Sequence, residues 1–370
     1  MPMTDSADYD PVCGMQVHDR RWVTTYRGRE YVFCSEGCLA LFRRDPALRL
    51  SHKGERARYD LVIVGGGPAG LTAAVYASLQ HLHALLLARD LGGQAVDTSR
   101  IKNYMGYDLV TGPELLGRFR DQLLAQKYIE HRLDEVLSVA RVADGFALQT
   151  RHGCRYEAPA VIIATGMHRR RLDVPGERRL LRRGVSYRLV HELERYQGQA
   201  VAVVGGGNSG IEAATALSRL GCRVTLISSG PLTGDAGDIA RVEAAENTVV
   251  LTDHEVAAIE GEEQVNGLRV QPRGGGRERF LDVSAVFIEI GYLPNTDCVA
   301  PLVDRNRDGE IETGRDCSAS IPGLFAAGDV TNGFGKRIII AAGEGARAAL
   351  AAGVFVRARQ SGTASVQGPA

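Results

Sequence analysis

Three cysteines, two glycine clusters and one histidine–glutamate pair are the residues in this chain whose types and spacing could do chemistry. Cys13, Cys34 and Cys38 are spaced C-x20-C-x3-C. The last two fall where a strand pattern meets a helix pattern, so both thiolates can face one point, as a soft-metal site requires. Gly65, Gly67 and Gly70 form G-x-G-x-x-G after the apolar run Tyr59–Val64 and before the small-residue run Leu71–Ala77. That order makes a strand, a tight turn and a helix whose N-terminus can hold a pyrophosphate. Gly205, Gly207 and Gly210 repeat the device between Ala200–Val204 and Ile211–Ala214. Two such units are far more specific than one and point to two dinucleotides. His191 is followed by Glu192. An imidazole with an ordinary pKa near ~6.5 suits proton donation at neutral pH, with the carboxylate supporting it. The alternative is that both line a polar surface without reacting.

The elements that must position these groups follow in chain order. The first fifty residues build two short strands and a small helix, a size at which a bound metal often supplements the core. Ser51 to Arg58 is a charged connector. After the first glycine turn and helix, Ala84–Ala88 is a second apolar strand. Asp90 lies 20 positions beyond Gly70, where a carboxylate would meet ribose hydroxyls. Arg89 beside it leaves a plain surface loop as the other reading. A helix is predicted from about Pro113 to Tyr128, with strands around Glu135–Arg141 and Phe146–Thr150. Val161–Gly166 and Leu324–Asp329 are buried strands ending in small-residue turns, and a last helix follows. The final residues, Ser361 to Ala370, are small and polar and are expected to be disordered.

Composition narrows the classes. The chain has 370 residues, no formal net charge and 44% apolar residues, which suits two or three ordinary globular domains. No basic footprint for nucleic acid is present. Without a basic segment leading an apolar run, no secretory signal is expected. The apolar stretch from Ile338 to Val356 is interrupted by Glu344 and Arg347, so it is not expected to span a membrane. Seven cysteines, an odd number, suggest reduced thiols and a cytoplasmic setting. Cys154, Cys222, Cys298 and Cys317 have no pairing spacing and read as small packed residues. Arg169, Arg170 and Arg171 read as a solvated loop face.

Residues 9–50 resemble the YHS/TRASH family of small metal-associated domains, through DPVCGM and Y-x-G-x-x-Y-x-F-C-S-x-x-C. The resemblance implies zinc, copper or another soft metal at Cys13, Cys34 and Cys38. Met15, His18 and His52 are the candidates for a fourth ligand, and an unmetallated interaction domain is the alternative. Residues 58–357 resemble the low-molecular-weight thioredoxin reductase family, closest to the flavoprotein component of alkyl hydroperoxide reductase. The motifs are GGGPAG (65–70), GGQ (92–94), KNY (102–104), ATG (164–166), VPGE (174–177), GVSY (184–187), GGGNSGIEAA (205–214), GYLPNT (291–296), DRNRDGEI (304–311), FAAGD (325–329) and IIIAAGEGA (338–346). The implied fold is α/β, with two Rossmann-like dinucleotide-binding domains and a small N-terminal α+β domain. The FAD domain would occupy 59–170 and 292–357, split around an NAD(P)H domain at 171–291, with 51–58 a linker and 358–370 a tail. The resemblance implies FAD at Gly65, Gly67, Pro68, Ala69, Gly70, Gly93, Gln94, Asn103, Thr165, Gly166, Asp329 and Ile338, to which the spacing adds Asp90 and the position before Ile338 adds Arg337. It implies NAD(P)H at Gly205, Gly207, Asn208, Ser209, Gly210 and Glu212, in a homodimer whose domains rotate during turnover.

Three departures from that family matter. GVSY is followed there by a C-x-x-C pair, whereas this chain reads Arg188-Leu189-Val190-His191, then Glu192, with the distance to the second glycine cluster unchanged. Neither Arg188 nor His191 can form a disulfide, so thioredoxin-disulfide reduction through this site is not expected. NADPH-using members carry basic residues after the strand matching Val224–Ile227. Here Ser228-Ser229-Gly230-Pro231 follows, with no arginine until Arg241, so NADH is favoured. Arg337 stands where the peroxide-reductase flavoprotein has glutamine, and a cation there would stabilise a reduced, anionic flavin. Its alternative is a surface charge at a helix start. The sequence therefore reads as an FAD-dependent NAD(P)H oxidoreductase with a small-molecule, metal or protein electron acceptor. A reductase of ferredoxin-type carriers and a non-turnover FAD- and metal-binding sensor are the other readings.

Overall fold

The computed structural model describes residues 8–17, 19–98, 100–187 and 193–362. The chain divides into two compact units, one formed by 1–167 with 294–370 and the other by 168–293.

The first unit is built on a five-stranded parallel sheet. Its strand order is Leu324–Ala326, Ala160–Ile163, Leu61–Val64, Ala84–Ala88 and Ile129–Leu133. All four residues of Leu61–Val64 are buried, as expected for a strand covered on both faces. Helix Pro68–Leu79 leaves directly from this strand, and apart from Leu71 its buried residues are small: alanine, glycine, valine and serine. Those small side chains let the long helix Ile338–Gln360 pack closely across it through Ala341, Ala348, Ala349 and Ala352. That C-terminal helix is long and apolar enough to cross a membrane by length and composition, with 39% of its most apolar window buried in the protein. A three-stranded antiparallel sheet, Val136–Val142, Gly145–Thr150 and Arg155–Ala158, completes the dinucleotide-binding part.

The second unit repeats this plan. Its parallel sheet runs Val185–Ser186, Ala285–Ile288, Ala200–Val204, Arg223–Ile227 and Thr248–Leu251. The glycine-cluster strand is central in both sheets, and each sheet carries its own three-stranded antiparallel companion, here His254–Glu260, Gly267–Pro272 and Arg279–Leu281.

The N-terminal module belongs to the first unit. A hairpin pairs Trp22–Tyr26 with Arg29–Phe33, turning at Arg27 and Gly28, both with positive φ. Helix Glu36–Arg44 is capped by the Ser35 hydroxyl, which accepts the Cys38 N–H at 3.2 Å. Phe33, Phe42, Tyr26 and Tyr31 form its aromatic centre. This centre is continuous with the core of the dinucleotide-binding sheet, because Val12, Cys13, Met15 and Phe42 pack in one cluster with Leu61, Leu86 and Leu116. The connector after it is anchored. Lys53 O accepts from Arg132 at 2.9 Å, and the Gly54 N–H donates to the Tyr156 hydroxyl at 2.7 Å. A larger neighbour therefore supplies the apolar burial that so small a module lacks.

Candidate functional site: two dinucleotide cradles and a thiol cluster

Both glycine clusters lie at the carboxyl ends of their central strands, where parallel α/β sheets bind ligands. A Cβ on Gly70 would sit 1.8 Å from Gly65 O, and one on Gly210 would sit 1.9 Å from Gly205 O. The third glycine of each cluster is therefore fixed by backbone contact with the first. Gly67 and Gly207 are the N-caps of helices Pro68–Leu79 and Asn208–Arg219, and neither receives a side-chain cap. Nothing lies within 4 Å of a Cβ on Gly67. Each helix thus presents uncapped N–H donors and positive dipole to open space, the arrangement that accepts a pyrophosphate. These residues fit a bound dinucleotide.

Around the first cradle, Asp90 accepts the Gly93 N–H at 2.6 Å, and burial raises its pKa. The Gln94 amide donates to Met167 O. The Thr165 hydroxyl donates to Asn295 O at 2.6 Å, and Asn295 returns a bond to Thr165 O at 2.8 Å, tying the ATG turn to the PNT segment. Gly166 follows with φ +65°. Asp329 is pushed up by burial and pulled back by Lys336 and Arg337. Glu344 holds the turn before it by accepting the Gly328 N–H at 2.8 Å. Arg337 is the exposed N-cap of the C-terminal helix, which begins at Ile338, and Asn103 is exposed.

Around the second cradle, Asn208 accepts the Asp235 N–H at 2.9 Å, while Ser209 and Glu212 are exposed. Arg241 is engaged by Asp238. A cation that chain order hides is Arg273, whose guanidinium donates to Ser229 O at 3.1 Å on the loop after Arg223–Ile227. Glu289, at the end of the neighbouring strand, is pushed up to about 7 by burial, with Arg169 opposing. Arg169 is not simply a solvated face, since it also donates to Tyr187 O and lies over the Tyr292 ring at 5.1 Å. His191 and Glu192 lie outside the described residues, as does His18.

The N-terminal module brings its three cysteines together. Cys13 Sγ is 3.4 Å from Cys34 Sγ, which is 3.9 Å from Cys38 Sγ. Three thiolates at about 2.3 Å from one ion in a tetrahedral shell would stand about 3.8 Å apart, so the cluster fits a thiophilic ion. Asp10 joins it, with ligand atoms of all four residues within 4.8 Å. Burial raises Asp10 to about 6, and the Cys34 charge adds to this. Hydrogen bonds from Cys13 and Cys38, reinforced by Arg120, hold Cys34 far below the ordinary thiol range. Of the expected fourth ligands, Met15 is buried beside the cluster, but its sulfur faces Arg120 at 3.6 Å. His52 is engaged elsewhere, stacked on His152 at 3.6 Å with Nδ1 at 3.0 Å from Leu133 O.

Asp10, Arg120 and His131 are the site residues that sequence reasoning missed. Arg120, on helix Gly112–Leu124 of the dinucleotide-binding part, donates to Cys34 Sγ at 2.8 Å. His131, on strand Ile129–Leu133, has Nε2 2.9 Å from Val12 O. Leu91 N donates to Cys13 O at 2.7 Å. A Cβ on Gly14, whose φ is +73°, would meet Arg89 O at 2.6 Å. The cysteine loop is thus seated on the turn that carries Asp90. Among the described residues the cysteines are free. Burial raises both Cys298 and Cys317 to about 11, which suits packed, unreactive thiols.

Comparison with known proteins agrees with this architecture. Residues 59–353 match the family described as pyridine nucleotide-disulphide oxidoreductase, and residues 9–51 match the YHS domain. The chain is 35% identical over 308 residues to an NADH dehydrogenase of Bacillus subtilis (strain 168), covering 82% of this chain and 59% of the relative. It is 35% identical over 298 residues to the F component of alkyl hydroperoxide reductase of Staphylococcus aureus (strain N315), covering 79% of this chain and 58% of that protein. It thus spans under two thirds of the length of these relatives. Among solved structures, thioredoxin reductase of Lactococcus lactis aligns with a TM-score of 0.64 and 32% identity, over 81% of this chain and 99% of that one. Thioredoxin reductase of T. acidophilum aligns at 0.62 with the same identity and coverage. FAD and NAD(P)H are the cofactors the family implies. With its paired cradles and repeated sheets, the chain belongs to the pyridine nucleotide-disulphide oxidoreductase family of thioredoxin reductase-like flavoproteins, and carries a YHS domain on its N-terminal side.

Proposed function

We propose that the chain is an FAD-dependent NAD(P)H oxidoreductase, favouring NADH, whose electron acceptor is not a C-x-x-C disulfide. The observation that carries this is the pair of uncapped helix N-termini behind Gly65–Gly70 and Gly205–Gly210, at the carboxyl ends of two five-stranded parallel sheets with the glycine-cluster strand at the centre of each. FAD, when bound, supplies a two-electron relay that takes hydride from NAD(P)H and passes the electrons on. The chain's residues hold and orient. The N–H groups at Gly67–Gly70 would bind the FAD pyrophosphate and Asp90 its ribose, and those at Gly207–Gly210 would bind the nicotinamide dinucleotide. Arg188 and His191 occupy the register of the family's redox cysteines, so no side chain there can carry electrons as a disulfide. His191, supported by Glu192, would supply a proton to the reduced acceptor. Ser228–Pro231 offers no local cation for a 2′-phosphate, and Arg273 at Ser229 is the group that would keep the preference for NADH modest.

The Cys13–Cys34–Cys38 cluster supports a bound soft metal, with zinc or copper the expected ions. A metal-bearing acceptor is a second reading, favoured by the core that the module shares with the flavin-binding part. A homodimer is the expected assembly. Steady-state NADH oxidation with quinone, ferric chelate and thioredoxin disulfide as acceptors tests the reading. Turnover with an acceptor other than thioredoxin, and none with thioredoxin, is the expected result. Thioredoxin reduction at rates matching the other acceptors would overturn it.

A further inference from the structure

The thiol cluster is closed by a cation from outside its own module. Arg120 is 5% exposed, and its guanidinium is divided between two tasks. Nε and one terminal nitrogen donate to Asp121 Oδ1 at 3.0 and 2.8 Å. The other terminal nitrogen donates to Cys34 Sγ at 2.8 Å and faces Met15 Sδ at 3.6 Å. A guanidinium stays protonated even where it is buried, so Arg120 brings a fixed positive charge to the sulfurs. Asp10, the oxygen donor nearest the sulfurs, is already committed. Its Oδ1 accepts Val12 N–H at 2.8 Å and Cys13 N–H at 3.4 Å, and its Oδ2 accepts Cys34 N–H at 3.0 Å. These bonds fix the cysteine loop against the strand end. Moving the carboxylate onto a metal would strip buried N–H groups of their acceptor.

We infer that Arg120 is the built-in counter-cation of a three-sulfur site, and that it selects a thiophilic divalent ion bound by Cys13, Cys34 and Cys38 without a carboxylate ligand. Within the buried set, three thiolates, a guanidinium and a divalent ion sum to no net charge, while the carboxylate of Asp121, the guanidinium's other partner, is exposed to solvent and the Asp10 charge is met by backbone N–H groups. A monovalent ion would leave negative charge uncompensated where Cys13 and Cys38 are fully buried, which low-dielectric surroundings penalise. Arg120 would act through Cys34 as a positioning and charge-balancing residue, the role outer-shell groups have at metal sites. This rests on the metal-binding reading of the cluster.

The test uses the full-length, FAD-loaded, reduced protein and Cd(II) as the probe. It combines chelator-competition titration with the sulfur-to-cadmium charge-transfer band and X-ray absorption for the number of sulfurs. Wild type should bind Cd(II) at one site with three sulfurs and no carboxylate oxygen from Asp10. Arg120→Gln, which keeps an N–H donor and most of the packing, should bind about 10- to 100-fold more weakly with the sulfur count unchanged. Arg120→Lys should recover most of the loss. FAD content equal to wild type reports that each variant is folded. Unchanged affinity in Arg120→Gln, or a cadmium shell that includes Asp10, would overturn the role of Arg120. Failure of wild type to take up Cd(II) would instead overturn the metal reading itself.

Discussion

Between pH 7 and 5 His131 should cost the N-terminal module stability as the pH falls, against a smaller opposite contribution from Asp10. The imidazole is buried on strand Ile129–Leu133, and its Nε2 lies 2.9 Å from Val12 O. A carbonyl only accepts, so Nε2 carries the proton in the neutral ring. Burial first, then the Arg49 and Arg132 charges, lower its pKa from 6.5 to about 4, against a smaller opposing pull from the Val12 carbonyl. The unfolded chain therefore takes up a proton near pH 6.5, whereas the folded chain resists until about 4. Between those values the unfolded state binds more protons, so stability is present above 6.5 and is lost as the pH falls. The full window corresponds to about 3 kcal/mol, of which about 2 kcal/mol is lost between pH 7 and 5. Hydrogen exchange of the amides at 9–50, followed from pH 5 to 7 with intrinsic rates removed, reads this directly. His131→Gln keeps a donor to Val12 O but cannot titrate, so the loss of protection on acidification should disappear, leaving only the opposite trend from Asp10, whose carboxyl is raised to about 6 and so adds stability as the pH falls. Equal pH dependence in wild type and His131→Gln would refute the reasoning.

Other perturbations separate fold from cofactor. Gly67→Ala meets nothing within 4 Å at an ordinary φ of −75°, so the chain should fold with a near-native melting curve. The added methyl would occupy the cradle, so FAD retention should fall at least tenfold. Gly70→Ala drives its Cβ to 1.8 Å from Gly65 O, so it should lower stability by more than about 3 kcal/mol as well as lose FAD. Denaturant midpoints and flavin absorbance after desalting distinguish the two. Arg273→Ala removes the guanidinium at Ser229 O and should raise KM for NADPH about tenfold while leaving KM for NADH within twofold. An equal effect on both nucleotides would show that Arg273 does not face the 2′-position.

Local pattern made much of this molecule legible. Leu61–Val64 into Gly65, and Ala200–Val204 into Gly205, are strand-to-helix turns that short-range sterics dictate, and both are where the spacing predicts them. The hairpin and helix bearing Cys34 and Cys38 are equally local. What the sequence hid is what comes from afar. Arg120 lies 86 positions from Cys34, and His131 lies 119 positions from Val12, so no spacing could link them. The same holds for Arg273, which reaches Ser229 across 44 positions, whereas the adjacent Ser228–Pro231 carries no cation. Asp10 was visible as part of DPVCGM, but its work of holding the Val12, Cys13 and Cys34 N–H groups depends on the fold. The module was expected to lean on a metal because it is small, yet its Phe42 and Val12 are buried in a core shared with Leu61 and Leu86.

The central claim is that NADH reduces a flavin in this chain with no disulfide beyond it. Anaerobic titration of the FAD-loaded protein with NADH, followed at the flavin absorbance, tests that claim most directly. The account predicts complete bleaching by a single equivalent of NADH per flavin, with no further uptake. A flavin that NADH leaves oxidised, or one that takes up a second equivalent as a C-x-x-C enzyme would, contradicts it.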